Sequence, residues 1–230
     1  MPSPAAPLKS LPPERRAVDS LACALLLALV GGMLDAFLYL DHGRVFAGAM
    51  TGNAVLCAVA LLHHATHDAL MHLLPLLCFG LGAWIAYVAE SHIRRHFVTL
   101  ALSIEAACLL AVSFLPENFP DLLFIAIVSG LAGFQVASFR TVDHFVYSST
   151  FITGEMRESL DALHNALNSG TRRKGLLQFR DLGLVILLFL CGAVTGALLA
   201  VRIGNHTLWL PVFLLLIVLG LVMRREHKRA

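Results

Sequence analysis

Apolar residues in this chain come in long runs, without the alternation of a half-buried strand or the three-to-four spacing of a surface helix. Six runs reach or approach the roughly 20 residues that a helix needs to cross a bilayer. They cover residues 21–40, 70–90, 97–115, 121–139, 182–201 and 208–223. Two further runs are broken. Residues 45–62 are interrupted by Met50-Thr51-Gly52-Asn53. Residues 145–163 begin apolar, are interrupted by Thr153-Gly154, and then carry Glu155, Arg157, Glu158 and Asp161. That second segment is too polar to cross in contact with lipid. The pattern predicts an all-α membrane protein of six transmembrane helices plus two re-entrant or broken helices. The alternative is eight spanning helices.

Composition strengthens the membrane reading. Of the 230 residues, 58% are hydrophobic and 14% charged, and the mean hydropathy is +0.78. A soluble domain carries about 45–50% apolar and about 25% charged residues. This chain has too little polar surface for water, and a bilayer can serve as its solvent. A formal net charge of +2 is too small to point to nucleic acid. The five cysteines (Cys23, Cys57, Cys78, Cys108 and Cys191) all lie in apolar stretches, none in a C-x-x-C pair, and read as packing residues. No cofactor is implied.

Residues 1–18 are polar and proline-rich and read as a disordered cytoplasmic tail. The apolar run behind them is too long for the core of a signal peptide and lacks a convincing small-residue cleavage site, so it reads as a retained first helix.

Loop charge decides between the two topologies. With six spans and a cytoplasmic N-terminus, every Lys and Arg except Arg44, Arg157 and Arg202 falls on the cytoplasmic side. With eight spans, Arg94, Arg95 and Arg140 move outside and the acidic turn at 117–121 moves inside. The positive-inside tendency favours six spans with both termini cytoplasmic.

The chain also repeats itself. Gly32-Met33-Leu34-Asp35-Ala36 matches Gly133-Phe134-Gln135-Val136-Ala137, Met50-Thr51-Gly52-Asn53 matches Ile152-Thr153-Gly154-Glu155, and Gly82-Ala83 matches Gly192-Ala193. The matches keep a common order. They divide the chain into a first membrane repeat at 19–115 and a second at 116–223, followed by a basic cytoplasmic tail at 224–230. Three spans and one dipping segment per half force the halves into opposite orientations. Such inverted repeats with interrupted helices are typical of secondary transporters, which bind their solute near the midplane between the repeats. Eight spans would instead make the repeats parallel.

Gly32-x-x-Asp35-Ala36, Phe46 and Met50-Thr51-Gly52-Asn53 together resemble the signature of the YoaK-type family of bacterial membrane proteins, and Thr153-Gly154 is similar to the family's second half. The resemblance runs from about residue 21 to 223. The family pattern has Gln-Asn-Ala where this chain has Gln135-Val136-Ala137. The resemblance implies a bacterial inner-membrane location and supplies no substrate.

Several polar residues stand out against this background. Gly52 and Gly154 permit a helix break, and Thr51, Asn53 and Thr153 can satisfy the backbone groups it frees. A helix N-terminus left near the midplane attracts an anion. The bland alternative is that Gly48 and Gly52 are packing residues. Asp35 and Glu105 are acids inside apolar helices, where an ionisable group is costly and points to function by default. For Asp35 the alternative is an interfacial residue paired with Arg44. For Glu105 it is a hydrogen bond to a neighbouring helix, or to Arg157 or Ser159. Gln135 and Glu155 complete the candidate pathway, Glu155 with the option of a solvated helix face. His63, His64 and His67 have metal-like spacing but sit in a connecting loop where polar residues are ordinary. Gly130-x-x-Gly133 and Gly192-x-x-x-Gly196 read as close-packing sites.

No nucleophile–base pair or phosphate-binding loop is present, so an enzyme is not expected. The sequence points to a small secondary transporter or channel for an unidentified solute or ion, working within the lipid bilayer and, given its small size, as a homodimer. The alternative is an accessory or structural membrane subunit without transport activity.

Overall fold

The computed structural model describes residues 20–93, 96–116, 118–139, 141–142, 145–146, 152–168 and 172–227. The tail expected at 1–18 lies outside the described residues, as do residues 228–230 of the basic C-terminal tail. The described residues form eight α-helices: α1 Leu21–Asp41, α2 Met50–Leu62, α3 Thr66–His92, α4 Phe97–Ser113, α5 Asp121–Ser138, α6 Ile152–Asn168, α7 Arg172–Ile203 and α8 Trp209–His227. A short hairpin of β1 (Thr141–Val142) and β2 (Phe145–Val146) stands between α5 and α6, with Thr141 opposite Val146. A single 3-10 turn, Gly204–Leu208, joins α7 to α8. Four stretches are long and apolar enough to cross a membrane: Leu21–Asp41, Thr66–His92, Asp121–Ser138 and Arg172–Arg224, the last running through α7 and α8. Helices α2 and α4 are apolar but shorter.

Both broken runs become helical only part-way along. In the first, helix begins at Met50, and residues 45–49 stay irregular. In the second, residues 145–146 pair as strand and helix begins at Ile152. At the end of α1 the chain turns through Gly43 (φ +69°) and Arg44 (φ +54°). A left-handed glycine is inexpensive there, and Met71 packs where a Cβ at Gly43 would sit. Pro120 precedes α5, where a missing N–H costs nothing, and Asp121 in the first turn complements the helix dipole.

Helix α1 is the centre of the bundle. Two-thirds of its apolar window (67%) is buried, against 33% for α3 and 28% for the α7–α8 stretch. The two closest helix pairs are α1 with α7 and α3 with α5; α6 lies on α7, α2 on α3 and α4 on α8. Lipid is as apolar as leucine, so helices in a bilayer gain by close van der Waals approach, which small residues permit. A Cβ added at Gly32 would overlap the Phe189 carbonyl, and one at Gly192 the Leu29 carbonyl. Across α3 and α5, one at Gly133 would overlap the Phe79 carbonyl, and one at Gly82 the Gly130 carbonyl.

Two contacts fix relative directions. Trp209 Nε1 at the start of α8 donates to Ser113 Oγ at the end of α4, 3.0 Å away, so these packed helices run antiparallel. His42, just past α1, meets Asp121 at the start of α5 (2.8 Å), and the Phe37 and Phe124 rings pack 5.9 Å apart. The C-terminal end of α1 and the N-terminal end of α5 therefore share one side of the bundle.

Overpacking at such backbone contacts costs about 1–3 kcal/mol, so Gly32→Ala and Gly192→Ala should each destabilise the protein by that amount in SDS-driven unfolding from mixed micelles. Gly80→Ala and Gly183→Ala, where a Cβ meets open space, should hold or raise stability through better helix propensity.

Candidate functional site

A helix that begins inside an apolar bundle leaves its first N–H groups without helical partners. Helix α2 begins this way: its Met50, Gly52 and Asn53 N–H groups turn to the Gly48 and Ala49 carbonyls, and two side chains hold the irregular residues just before it. Asp35, on the otherwise apolar α1, is 5% exposed. Its Oδ1 accepts the Gly48 N–H at 2.6 Å, and the Ala47 and Ala49 amides face the same carboxyl. A carboxyl group at a helix N-terminus lies where the peptide dipoles favour negative charge. Its second oxygen, Oδ2, is buried and accepts no hydrogen bond from the described residues. Asn53 is fully buried. Its Oδ1 accepts the Phe46 N–H at 2.9 Å, and its Nδ2 donates to the Phe46 carbonyl at 2.8 Å. One side-chain amide thus satisfies both polar groups of a residue that no helix or strand supports. Gly52 leaves room for the Phe46 ring, which stacks on Tyr39 with centroids 5.1 Å apart.

These residues form one wall of a cavity of about 430 Å³. Asp35 and Tyr39 come to it from α1, Phe46 from the irregular stretch before α2, Thr51 from the start of α2, Thr153 from the start of α6, and Phe189 from α7. No Lys, Arg or His is among its described lining residues. Of the residues singled out from sequence, the structure brings Asp35, Thr51 and Thr153 together here. Asn53 and Gly52 shape the wall from behind. Gly154 has open space beside it, and Glu155 is buried but does not line the cavity.

Glu105 and Gln135 form a separate pair. Gln135 Nε2, on α5, donates to Glu105 Oε1, on α4, at 2.6 Å, and both residues are buried. Neither lines the cavity. Between the partners considered for Glu105, the neighbouring helix holds. Ser159 donates to the Phe179 carbonyl instead, at 3.3 Å. Asp35 likewise bonds to the backbone at Gly48 rather than to Arg44.

Sequence reasoning missed a polar tie at the end of the bundle where α1 meets α5. His42 Nδ1 lies 2.8 Å from Asp121 Oδ1 and its Nε2 lies 3.0 Å from Asn205 Oδ1, while Asn205 Nδ2 donates to the Leu115 carbonyl at 3.0 Å. The imidazole stacks on Phe124, 3.7 Å between centroids. The tie joins the ends of α1, α4 and α5 to the turn between α7 and α8. The only hint in the sequence is that each residue sits at the end of an apolar run. His63, His64 and His67 lie at the exposed connection between α2 and α3, and His67 is 3.5 Å from Asp68. Among the described residues no three His, Cys, Asp or Glu side chains group as a metal site.

Four stretches long and apolar enough to cross a membrane, packed with shorter apolar helices around a mostly apolar core, define a multi-pass helical membrane protein. The chain belongs to the DUF1275 family, whose description is "protein of unknown function" and whose profile matches residues 23–221. It is 29% identical over 211 residues to the UPF0700 transmembrane protein YoaK of Bacillus subtilis (strain 168), covering 88% of this chain and 92% of that protein. The resemblance drawn from Gly32–Ala36 and Met50–Asn53 is thereby borne out. No solved structure matches.

The two buried pairs predict different mutational behaviour. Asn53→Ala strands both polar groups of Phe46 and should cost about 2–6 kcal/mol, at about 1–3 kcal/mol for each unsatisfied group. Gln135→Leu should destabilise by about 1–3 kcal/mol by orphaning the Glu105 carboxyl, and adding Glu105→Leu should recover most of that loss. A double-mutant cycle in mixed-micelle unfolding measures both effects.

Proposed function

We propose that this protein is a small secondary transporter or channel of the bacterial inner membrane, carrying a small solute through the cavity at the N-terminal ends of α2 and α6. The observation that carries this reading is the cavity itself. Asp35, Thr51 and Thr153 meet there from three helices, two of which start at that depth. With 13 and 17 residues, α2 and α6 reach about 20 and about 26 Å at 1.5 Å per residue. A bilayer core is about 30 Å thick. Helices that end part-way, with their N-termini beside a cavity, are how many secondary transporters expose backbone groups to a solute.

An inverted-repeat plan is part of the proposal, and the packing supports it. The sequence matches relate α1 to α5 by a shift of 101 residues, α2 to α6 by 102, and α3 to α7 by 110. The first and third shifts carry the contact of Gly32 with Phe189 onto that of Gly133 with Phe79, and the contact of Gly192 with Leu29 onto that of Gly82 with Gly130. The second and third carry the Cys57 Sγ–Ala69 carbonyl bond (3.4 Å) onto the Ser159 Oγ–Phe179 carbonyl bond (3.3 Å). The meeting of the α1 end with the α5 start, and of the α4 end with the α8 start, supports opposite orientations for corresponding helices. Parallel repeats would give corresponding helices the same direction.

Single-cysteine labelling in a cysteine-free background tests the plan. Probes at His64 and Asn118 should react from outside the cell, and probes at Ser91 and Asn168 only from inside. Labelling of Ser91 from outside would replace six spans by eight. Flux of a panel of small solutes into proteoliposomes tests the function. Thr51→Val combined with Thr153→Val should lower flux about tenfold, the scale of one or two lost hydrogen bonds. Flux of no solute, with a partner complex lost on deletion of the protein, would favour an accessory subunit.

A further inference from the structure

Resting on the reading of this cavity as the solute site, we infer that its ligand is a small organic cation: an ammonium group held by Asp35, with an apolar body against Tyr39, Phe46 and Phe189. Asp35 is 5% exposed, and its Oδ2 is buried without a partner among the described residues. The Gly48 amide engages Oδ1, and the Ala47 and Ala49 amides face the same carboxyl without a hydrogen bond to Oδ2. A helix N-terminus contributes roughly half a positive charge, so the start of α2 offsets part of a carboxylate and leaves the site negative. No Lys, Arg or His among the described lining residues supplies the rest. A ligand ammonium would supply it, and charge-assisted hydrogen bonds of this kind are the stronger ones.

The walls fit the rest of such a molecule. Tyr39 and Phe46 stack at an interplanar angle of 21°, and Phe189 lines the cavity with them. Aromatic faces attract cations through the ring quadrupole and accept apolar carbon equally well. Thr51 and Thr153 offer hydroxyls to a further N–H or O–H. Asp35 is the one acid among the described lining residues, and the position that matches it in the second half is Val136, so a singly charged ligand matches the site. A volume of about 430 Å³ lies at the small end of the roughly 300–1,000 Å³ typical of ligand sites. An anionic solute would meet the Asp35 carboxylate with no cation among the described lining residues to receive it.

Three probes that share one ring separate the possibilities: phenethylammonium, phenylacetate and 2-phenylethanol, added to the full chain in phosphatidylethanolamine–phosphatidylglycerol nanodiscs. The readout is the thermal unfolding midpoint as a function of probe concentration. Phenethylammonium should raise the midpoint saturably and the other two should not. Asp35→Asn keeps an acceptor for the Gly48 amide and should weaken phenethylammonium about tenfold, the scale of one charge-assisted hydrogen bond. Phe189→Leu, which leaves the carboxylate in place, should weaken it severalfold. Equal stabilisation by phenylacetate or 2-phenylethanol overturns the inference, as does unchanged affinity in Asp35→Asn. Should Asp35→Asn not fold, unchanged affinity in Phe189→Leu overturns it alone. Flux separates this inference from the reading beneath it. Transport of an anion or a neutral solute, without phenethylammonium binding, removes the cation and leaves the transporter. Binding that depends on Asp35, without flux of any solute, removes the transporter and leaves the cation site.

Discussion

A peptide group in hydrocarbon must find its hydrogen-bond partner within the protein, because no water is there to supply one. The organisation around α2 follows from this constraint. Starting a helix in the bundle interior exposes amides that a continuous helix would have paired. Asp35 accepts one of them across the helix interface, and Asn53 replaces both missing partners of Phe46 with a single side chain. The two residues do different work. Asn53 is saturated by its own loop and serves as structure, whereas Asp35 uses one oxygen and keeps the other.

The rest of the bundle supplies the rigidity that lets such a break persist. Strained or irregular backbone survives only where its surroundings over-determine it. Here the surroundings are two helix pairs pressed together at glycines, α1 with α7 and α3 with α5. The tie around His42 pins their ends on one side. Between α4 and α5, the Glu105–Gln135 bond is a local polar contact among apolar helices. Its lack of a link to the cavity argues for a packing role, despite the expense of burying an acid.

The sequence made the membrane class, the course of α1 and the two interruptions legible. Long apolar runs and a Thr-Gly pair inside them are local signals. Helix α1 was expected over 21–40 and extends to Asp41; the break at Met50 falls where Thr51, Gly52 and Asn53 announced it. What was hidden is which buried face meets which. Helices that are apolar nearly all round carry no periodic stripe to name their neighbours, so the partner of Glu105, thirty residues away in α5, could not be chosen from spacing. The same blindness grouped Glu105 and Gln135 with Asp35 in one pathway. Spacing also could not show that Phe46 and the Gly48 amide, in the irregular stretch before α2, are held by the Asn53 and Asp35 side chains.

The close pairing of α1 with α7 has a consequence for how the molecule is made. The carbonyl against Gly32 belongs to Phe189, and the one against Gly196 belongs to Met33. While the ribosome is still adding α2 to α6, the first helix already sits in the membrane with its closest-fitting face touching lipid. Insertion and packing are therefore separated in time. A chain that stops short of α7 leaves behind an inserted fragment with an unfilled groove, which is the kind of surface membrane quality-control proteases can recognise.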